Sequence, residues 1–157
     1  MVDVSAKSVT AREAIASAEI VMAPATADVI QSAKAAKGDV LAVARLAGIQ
    51  ATKLTSQLIP LCHAIPIESV SVDFSWKPNA ESPADAGAAQ ATLICHVRVR
   101  TSAKTGVEME AMTAASIAAL TVYDMVKSID RGIEIGPVVL EAKSGGKSGD
   151  YRRQQKG

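Results

Sequence analysis

The sequence predicts an α+β domain, an antiparallel sheet with helices packed on one face. Three observations predict it. Ile65–Trp76 and Ala91–Arg100 alternate apolar and polar residues with the period of a strand. Val40–Leu58 and Val107–Ile129 repeat apolar residues at the spacings of a helix. In chain order the segments run strand, helix, helix, strand, strand, helix, strand, which is a βαββαβ unit with one helix added.

The first segment, Val9–Met22, fits two descriptions. Arg12, Ala14, Ala16, Ala18, Ile20 and Met22 alternate as one face of a strand, while Thr10 with Glu13 resembles a helix capping box. The alternation persists to Met22 and Pro24 follows, which favours the strand. Thr26–Lys37 reads as a short helix with Thr26 as N-cap and Gly38 as its end. Asp39 can cap the next helix, where Val40, Leu41, Ala44, Ala47, Ala51, Leu54 and Leu58 share a face. Gly48 weakens its middle and Pro60 closes it.

In the strand Ile65–Trp76, Val70, Val72, Phe74 and Trp76 face one way. Lys77–Ala89 is rich in Pro, Ala, Gly and acidic residues, a solvated hairpin loop. In Ala91–Arg100, Leu93, Cys95, Val97 and Val99 face one way. The helix Val107–Ile129 is apolar almost all round, so more than one surface must cover it, and a second subunit could supply one. Ile133, Ile135 and Val138–Leu140 form a last strand, with Pro137 marking an edge or a bulge. From Lys143 onward the chain is rich in Gly, Ser and Lys, so residues 144–157 are expected to be a flexible tail unless a ligand orders them. The whole is one domain, residues 1–157, with a ferredoxin-like order of elements.

Composition narrows the function. With 157 residues and 48% hydrophobic content the chain can bury a core, and with 3% aromatics that core is aliphatic. A net charge of +1 argues against a nucleic-acid binder. No apolar run reaches membrane-spanning length, and no secretory signal is visible. Cys62 and Cys95 are not in a C-x-x-C pair, and each precedes a histidine that would point to the opposite face of a strand. No metal site is expected there. Free thiols suit a reducing cytoplasm.

Candidate chemistry gathers on the helix Val107–Ile129. Asp124 and Lys127 are three residues apart and share a face with Ile117 and Leu120. A surface salt bridge would explain them; so would a desolvated acid/base pair, with the lysine pKa lowered by burial. Glu108 and Glu110 in the first turn favour the helix dipole, and could also accept N–H groups of a guanine-like base. His63 follows Ile59–Cys62; beside Pro60, a structural role is the simpler reading. Arg12, Lys37, Lys53, Lys104, Lys143 and Lys147 are spread along the chain. Of these, Lys143 and Lys147 lie in a glycine run suited to cradling phosphate. It is not a Walker loop, since Glu141 stands where the first glycine would be and only eight residues follow Gly149.

These segments together resemble the cyclic pyranopterin monophosphate synthase family, the MoaC family of molybdenum-cofactor biosynthesis. The strings that carry the resemblance are Met1-Val-Asp-Val-Ser-Ala-Lys7, Thr10-Ala-Arg12, Lys37-Gly-Asp-Val40, Ala47-Gly-Ile-Gln-Ala-Thr-Lys53, Leu58-Ile-Pro-Leu-Cys-His63, Lys104-Thr-Gly-Val-Glu-Met-Glu110, Ala119-Leu-Thr-Val-Tyr-Asp-Met-Val-Lys127 and Lys143-Ser-Gly-Gly-Lys-Ser-Gly149. The resemblance implies conversion of 3′,8-cyclo-7,8-dihydroguanosine 5′-triphosphate to cyclic pyranopterin monophosphate, with release of pyrophosphate. It implies Asp124 and Lys127 as the acid/base pair. Leu61, Cys62, His63, Met109 and Glu110, with Glu108, would contact substrate, and Arg12, Lys37, Lys53, Lys143 and Lys147 would surround the polyphosphate and base. A radical S-adenosylmethionine GTP cyclase would supply the substrate, and a homohexamer, a trimer of dimers, would share sites between subunits. No resident cofactor is implied; Mg²⁺ would arrive with the polyphosphate, as no carboxylate cage is visible.

Overall fold

The computed structural model describes residues 1–78 and 90–154. The chain forms β1 (Thr10–Met22), α1 (Pro24–Gln31), α2 (Val40–Leu58), β2 (Ser69–Trp76), β3 (Ala91–Ala103), α3 (Glu108–Val126), β4 (Glu134–Ser144) and β5 (Tyr151–Arg152). The sheet has the order β2-β3-β1-β4-β5, and every neighbouring pair is antiparallel. This is the expected α+β arrangement, with α1 as the added helix. Most of the expected Lys77–Ala89 loop lies outside the described residues. No helix among the described residues is long and apolar enough to cross a membrane.

The inner face of the sheet follows the alternation in the sequence. Ala14, Ala16, Ala18 and Ile20 of β1, and Leu93, Cys95, Val97 and Val99 of β3, are completely or almost completely buried. The alanines of β1 leave room for α3, which packs over β1, β3 and β4 and alongside α2. Both helices bury small residues, Ala44, Gly48 and Ala51 on α2 and Ala111, Ala114, Ala115 and Ala118 on α3, and Gly48 lies against Ala114 and Ala118. A Cβ on Gly48 would stand 3.2 Å from Val72 Cγ2 and 3.3 Å from the Ala114 carbonyl oxygen. The glycine that weakens α2 locally is thus what lets the helices approach.

Several boundaries differ from those expected. α1 begins at Pro24 rather than after a Thr26 cap, because proline at the first turn needs no N–H partner. Thr26 is buried instead, and its hydroxyl donates to Asp130 Oδ2 at 3.1 Å. The same oxygen accepts the Ala23 N–H at 3.1 Å, tying α1 to the turn after α3. The helix stops at Gln31, short of Lys37, because Ala33 takes a left-handed conformation with φ 54°. Asp39 caps α2 as expected, its carboxylate accepting the Ala42 N–H at 3.0 Å.

β2 pairs only from Ser69, since Pro66 has no N–H to donate; the Pro66 carbonyl accepts from the Thr101 hydroxyl instead. α3 is shorter than expected at both ends, Glu108–Val126, and β3 runs three residues longer, to Ala103. Pro137 falls at a register shift of β4 against β1, at a stretch with no outer neighbour, as edge and bulge both require. β4 itself continues through Lys143 to Ser144. The glycine-rich segment then turns back, and β5 pairs Arg152 with Ala142 and Tyr151 with Lys143. Within the expected tail, 144–157, the described residues thus form a hairpin through Arg152, and 155–157 lie outside the described residues.

Gly48→Val should force α2 from α3, because the added carbons meet main chain at Ala114. The expected loss is about 1–3 kcal/mol, read from the urea midpoint. Gly48→Ala adds one tight contact but gains helix propensity, and should change stability by less than about 1 kcal/mol.

Candidate active site

Two cavities with a common wall open where β1 begins, β3 ends and α3 starts. The larger, about 840 Å³, is lined by Lys7, Arg12, Lys104, Lys143 and Lys147 and has Glu108 as its one acidic lining residue. The smaller, about 420 Å³, is lined by Leu61, Cys62, His63, Met109 and Glu110, with Val2 and Val4 of the N-terminal segment. Lys7, Thr105, Gly106 and Glu108 belong to both.

Glycines make the walls possible. A Cβ on Gly106 would collide with the Glu108 carboxylate, so glycine lets that side chain fold back over the turn into α3. Gly145 and Gly146 have φ of +88° and +82°. A Cβ on Gly145 would strike the Ala11 carbonyl, and one on Gly146 the Arg12 guanidinium. The run after Lys143 therefore lies flat against β1, and Arg12 crosses it, donating from Nε to the Ala103 carbonyl at 3.4 Å. Lys143 Nζ stands 3.4 Å from Glu108 Oε1 and also donates to the Ser148 hydroxyl.

The smaller cavity holds a carboxyl in an apolar setting. Glu110 is 3% exposed. Burial pushes its pKa above the ordinary 4.5, the charge of Glu108 pushes the same way, and a hydrogen bond from its own backbone N–H opposes both. The Cys62 thiol is also pushed up, by burial and then by Glu110, so it is no ready thiolate. Cys95 is a core residue whose pKa is pushed up to about 12, mainly by burial.

Asp124 and Lys127 lie elsewhere. Asp124 Oδ1 is 2.7 Å from Lys127 Nζ, and Asp124 Oδ2 is 2.7 Å from Lys37 Nζ. Lys37 also donates to the Asp124 main-chain carbonyl at 2.9 Å. The side chains of Asp124, Lys127 and Lys37 are 54%, 52% and 46% exposed. The expected apolar setting and lowered lysine pKa are absent in the single chain. Hydrogen bonds from Lys127 and Lys37 hold the Asp124 pKa down to about 2, and the bond to Asp124 raises that of Lys127. Glu110 and Asp124 are fourteen residues apart on α3, about 21 Å along its axis.

The structure thus gathers Arg12, Glu108, Lys143 and Lys147 at one cavity, and Leu61, Cys62, His63, Met109 and Glu110 at its neighbour. It separates Asp124 and Lys127 from both. Lys37, expected near polyphosphate, is held by Asp124. Lys53 is exposed on α2 and lines neither cavity. Sequence reasoning passed over Lys7 and Lys104 as site residues. Their signal was position, since Lys7 closes the Met1–Lys7 string and Lys104 opens the Lys104–Glu110 string. Among the described residues, no group of three or more His, Cys, Asp or Glu could hold a metal ion.

The model of the MoaC family matches residues 1–146, which include every element of the two cavities up to Gly146. A protein of Rhodopirellula baltica named cyclic pyranopterin monophosphate synthase is 62% identical over 153 residues, covering 98% of this chain and 87% of its own. A protein of the same name from Bacillus thuringiensis is 50% identical over 154 residues, covering 98% and 91%. With a family match over residues 1–146 and relatives 50–62% identical over 98% of its length, the chain belongs to the MoaC family.

Proposed function

We propose that this protein is a cyclic pyranopterin monophosphate synthase. It converts 3′,8-cyclo-7,8-dihydroguanosine 5′-triphosphate to cyclic pyranopterin monophosphate and pyrophosphate, in the cytoplasm. A radical S-adenosylmethionine GTP cyclase supplies the substrate. The observation that carries this reading is the cation-lined cavity joined to one containing a buried carboxyl. A substrate with a polyphosphate at one end and a guanine-derived ring at the other has the same two halves.

The ring enters the smaller cavity, where Glu110 accepts its N–H groups. The triphosphate lies among Arg12, Lys143 and Lys147. There a substrate hydroxyl attacks the innermost phosphorus, the bond to pyrophosphate breaks, the hydroxyl proton leaves with the pyrophosphate, and the cations offset the charge that develops on the leaving group. Mg²⁺ would have to arrive on the phosphates, because Glu108 is already paired with Lys143.

Ring opening and pterin closure need proton transfers, and the pair assigned to them, Asp124 and Lys127, lies outside both cavities of one chain. Asp124, Lys127 and Lys37 supply them from a second chain. The length of α3 supports this, since it keeps Asp124 and Glu110 apart within one chain. Exposed Met109 and Leu120 on α3, and Leu46 and Leu58 on α2, offer apolar surface for such contact. We place the chain in the homohexamer, a trimer of dimers, that the family resemblance implies. Covering the triad would desolvate the Lys127 ammonium and oppose the rise in its pKa that Asp124 causes, while Asp124 stays anionic. Asp124 then orients two proton donors, and Lys127 gives and takes the proton.

Three predictions follow from this arrangement. Asp124→Asn and Glu110→Gln should each reduce pyrophosphate release from the cyclised dihydro-GTP by roughly a hundredfold or more. Refolded together in equal amounts, they should recover about a quarter of wild-type activity, because heterodimers rebuild one intact site of two. No recovery would place both residues in one chain's site.

Glu110→Gln should also raise the melting temperature at neutral pH. A carboxyl with a raised pKa is most favourable to the fold when protonated, and that benefit is lost as pH rises through its folded pKa. Wild type should therefore stabilise as pH falls through the Glu110 midpoint, and the glutamine variant should not.

Asp124 behaves in the opposite sense. Its contribution is present above the ordinary aspartate value of 3.8 and is lost only as pH falls towards about 2. An NMR titration of its carboxyl carbon should give a midpoint near 2 in wild type, and an upward shift in Lys37→Met.

A further inference from the structure

The N-terminal segment, residues 1–9, is neither helix nor strand, and all of it but Val4 is exposed. It nevertheless walls both cavities, through Val2 and Val4 in the smaller, Ser8 in the larger and Lys7 in both. Its internal bonds are local. The Ser5 N–H donates to Asp3 Oδ1 at 2.8 Å, and the Lys7 N–H to the Val4 carbonyl at 3.1 Å. Among the described residues, one hydrogen bond joins it to a distant part of the chain. Lys104 Nζ donates to the Ser5 carbonyl at 2.7 Å. Lys104 follows directly on β3, so the tether starts from a rigid strand. Its ammonium forms no salt bridge among the described residues, although Glu108 lines the same cavity.

A wall held by a single long-range bond opens and closes at little free-energy cost. We infer that residues 1–9 are a strap that closes over the charged arm of the substrate, and that Lys104 is the positioning residue that latches it. The latch carries Lys7 to the junction of the two cavities, where the polyphosphate meets the ring. Lys104 thus acts through Ser5 and the strap, not on phosphate directly. The identity of the substrate rests on the function proposed above; the latch does not.

Strap contacts to a polyphosphate arm exist in ground state and transition state alike, so losing them raises KM and spares kcat. Lys104→Met should raise KM for the cyclised dihydro-GTP roughly tenfold, from the loss of a charged hydrogen bond. kcat should stay within about twofold. Lys104→Arg should restore most of the KM.

Deleting residues 1–6 should match Lys104→Met, and the two changes combined should add nothing further, since both remove one closure. Effects that multiply would mean that Lys104 works apart from the strap and would overturn the inference. Hydrogen exchange supplies a readout free of turnover. In wild type, amides of residues 4–9 should gain protection when inorganic tripolyphosphate binds, and that gain should vanish in Lys104→Met and Lys104→Gln. Protection unchanged by tripolyphosphate, or by both substitutions, would sink the strap. If wild type fails to release pyrophosphate from the intermediate while the exchange result holds, the proposed reaction falls and the latch stands.

Discussion

Close packing of α3 through small side chains is the constraint on which the rest of the molecule depends. A helix lined with alanine can lie near both the sheet and α2, but only if its partners are also small. Ala14, Ala16 and Ala18 on β1 and Gly48 on α2 meet that condition. The helix is thereby fixed along its whole length. Its first turn is set between two cavities, and its last turn buries Val122, Met125 and Val126 while presenting Asp124 to solvent. A straight α-helix cannot fold its ends together, so the rigidity that orders Glu108 and Glu110 also removes Asp124 from them.

The two ends of α3 use charge in opposite ways. At the first turn, Glu110 is buried among apolar groups, and desolvation dominates, so its carboxyl is poised to be neutralised by a proton or by N–H donors. At the last turn, Asp124 is in water between two ammonium groups, and attraction dominates, so it remains an anion even in acid. Neither behaviour can be assigned from residue type. Both are carboxylic acids on the same helix, and their surroundings decide. A pair of exposed ions adds little to stability. A triad that ties the α1–α2 connection to the end of α3 is better understood as holding functional groups in place.

Most of the architecture was legible because periodicity reports burial directly. Ala91–Arg100 and Val40–Leu58 advertise their inner faces, and Asp39 its cap. The ends were less legible, because they depend on partners far away in sequence. Thr26 looks like a cap until Asp130, 104 residues later, claims its hydroxyl. The hairpin after Lys143 looks like a tail, because glycine and serine composition cannot distinguish a free segment from one pressed against β1. For the site, the short strings named side chains but not their grouping, which leaves Asp124, Lys127, Lys37 and Lys53 outside both cavities. Lys37 and Lys143 look alike as lysines in glycine-containing strings, yet one clamps Asp124 and the other faces Glu108. Lys7 was not singled out and Lys104, though counted among the cations, was given no site, because their roles arise from where the N-terminal segment lies.

The glycine run shows why composition misled. Flexibility is one use of glycine; close approach is another. Gly145 and Gly146 both have positive φ, and at both a side chain would strike β1 atoms, Ala11 in one case and Arg12 in the other. Two independent requirements, conformation and space, therefore coincide at consecutive positions. A merely flexible linker would satisfy neither consistently. The run instead brings Lys143 and Lys147 to the cavity that Lys7, Arg12 and Lys104 also line, so five cations from four separate stretches of the sequence face one volume. Holding like charges together is unfavourable in the absence of an anion, and the single Glu108 offsets only part of it. A fold that maintains such a concentration of positive charge beside a buried carboxyl is organised around a ligand that brings the missing negative charge at one end and hydrogen-bond donors at the other.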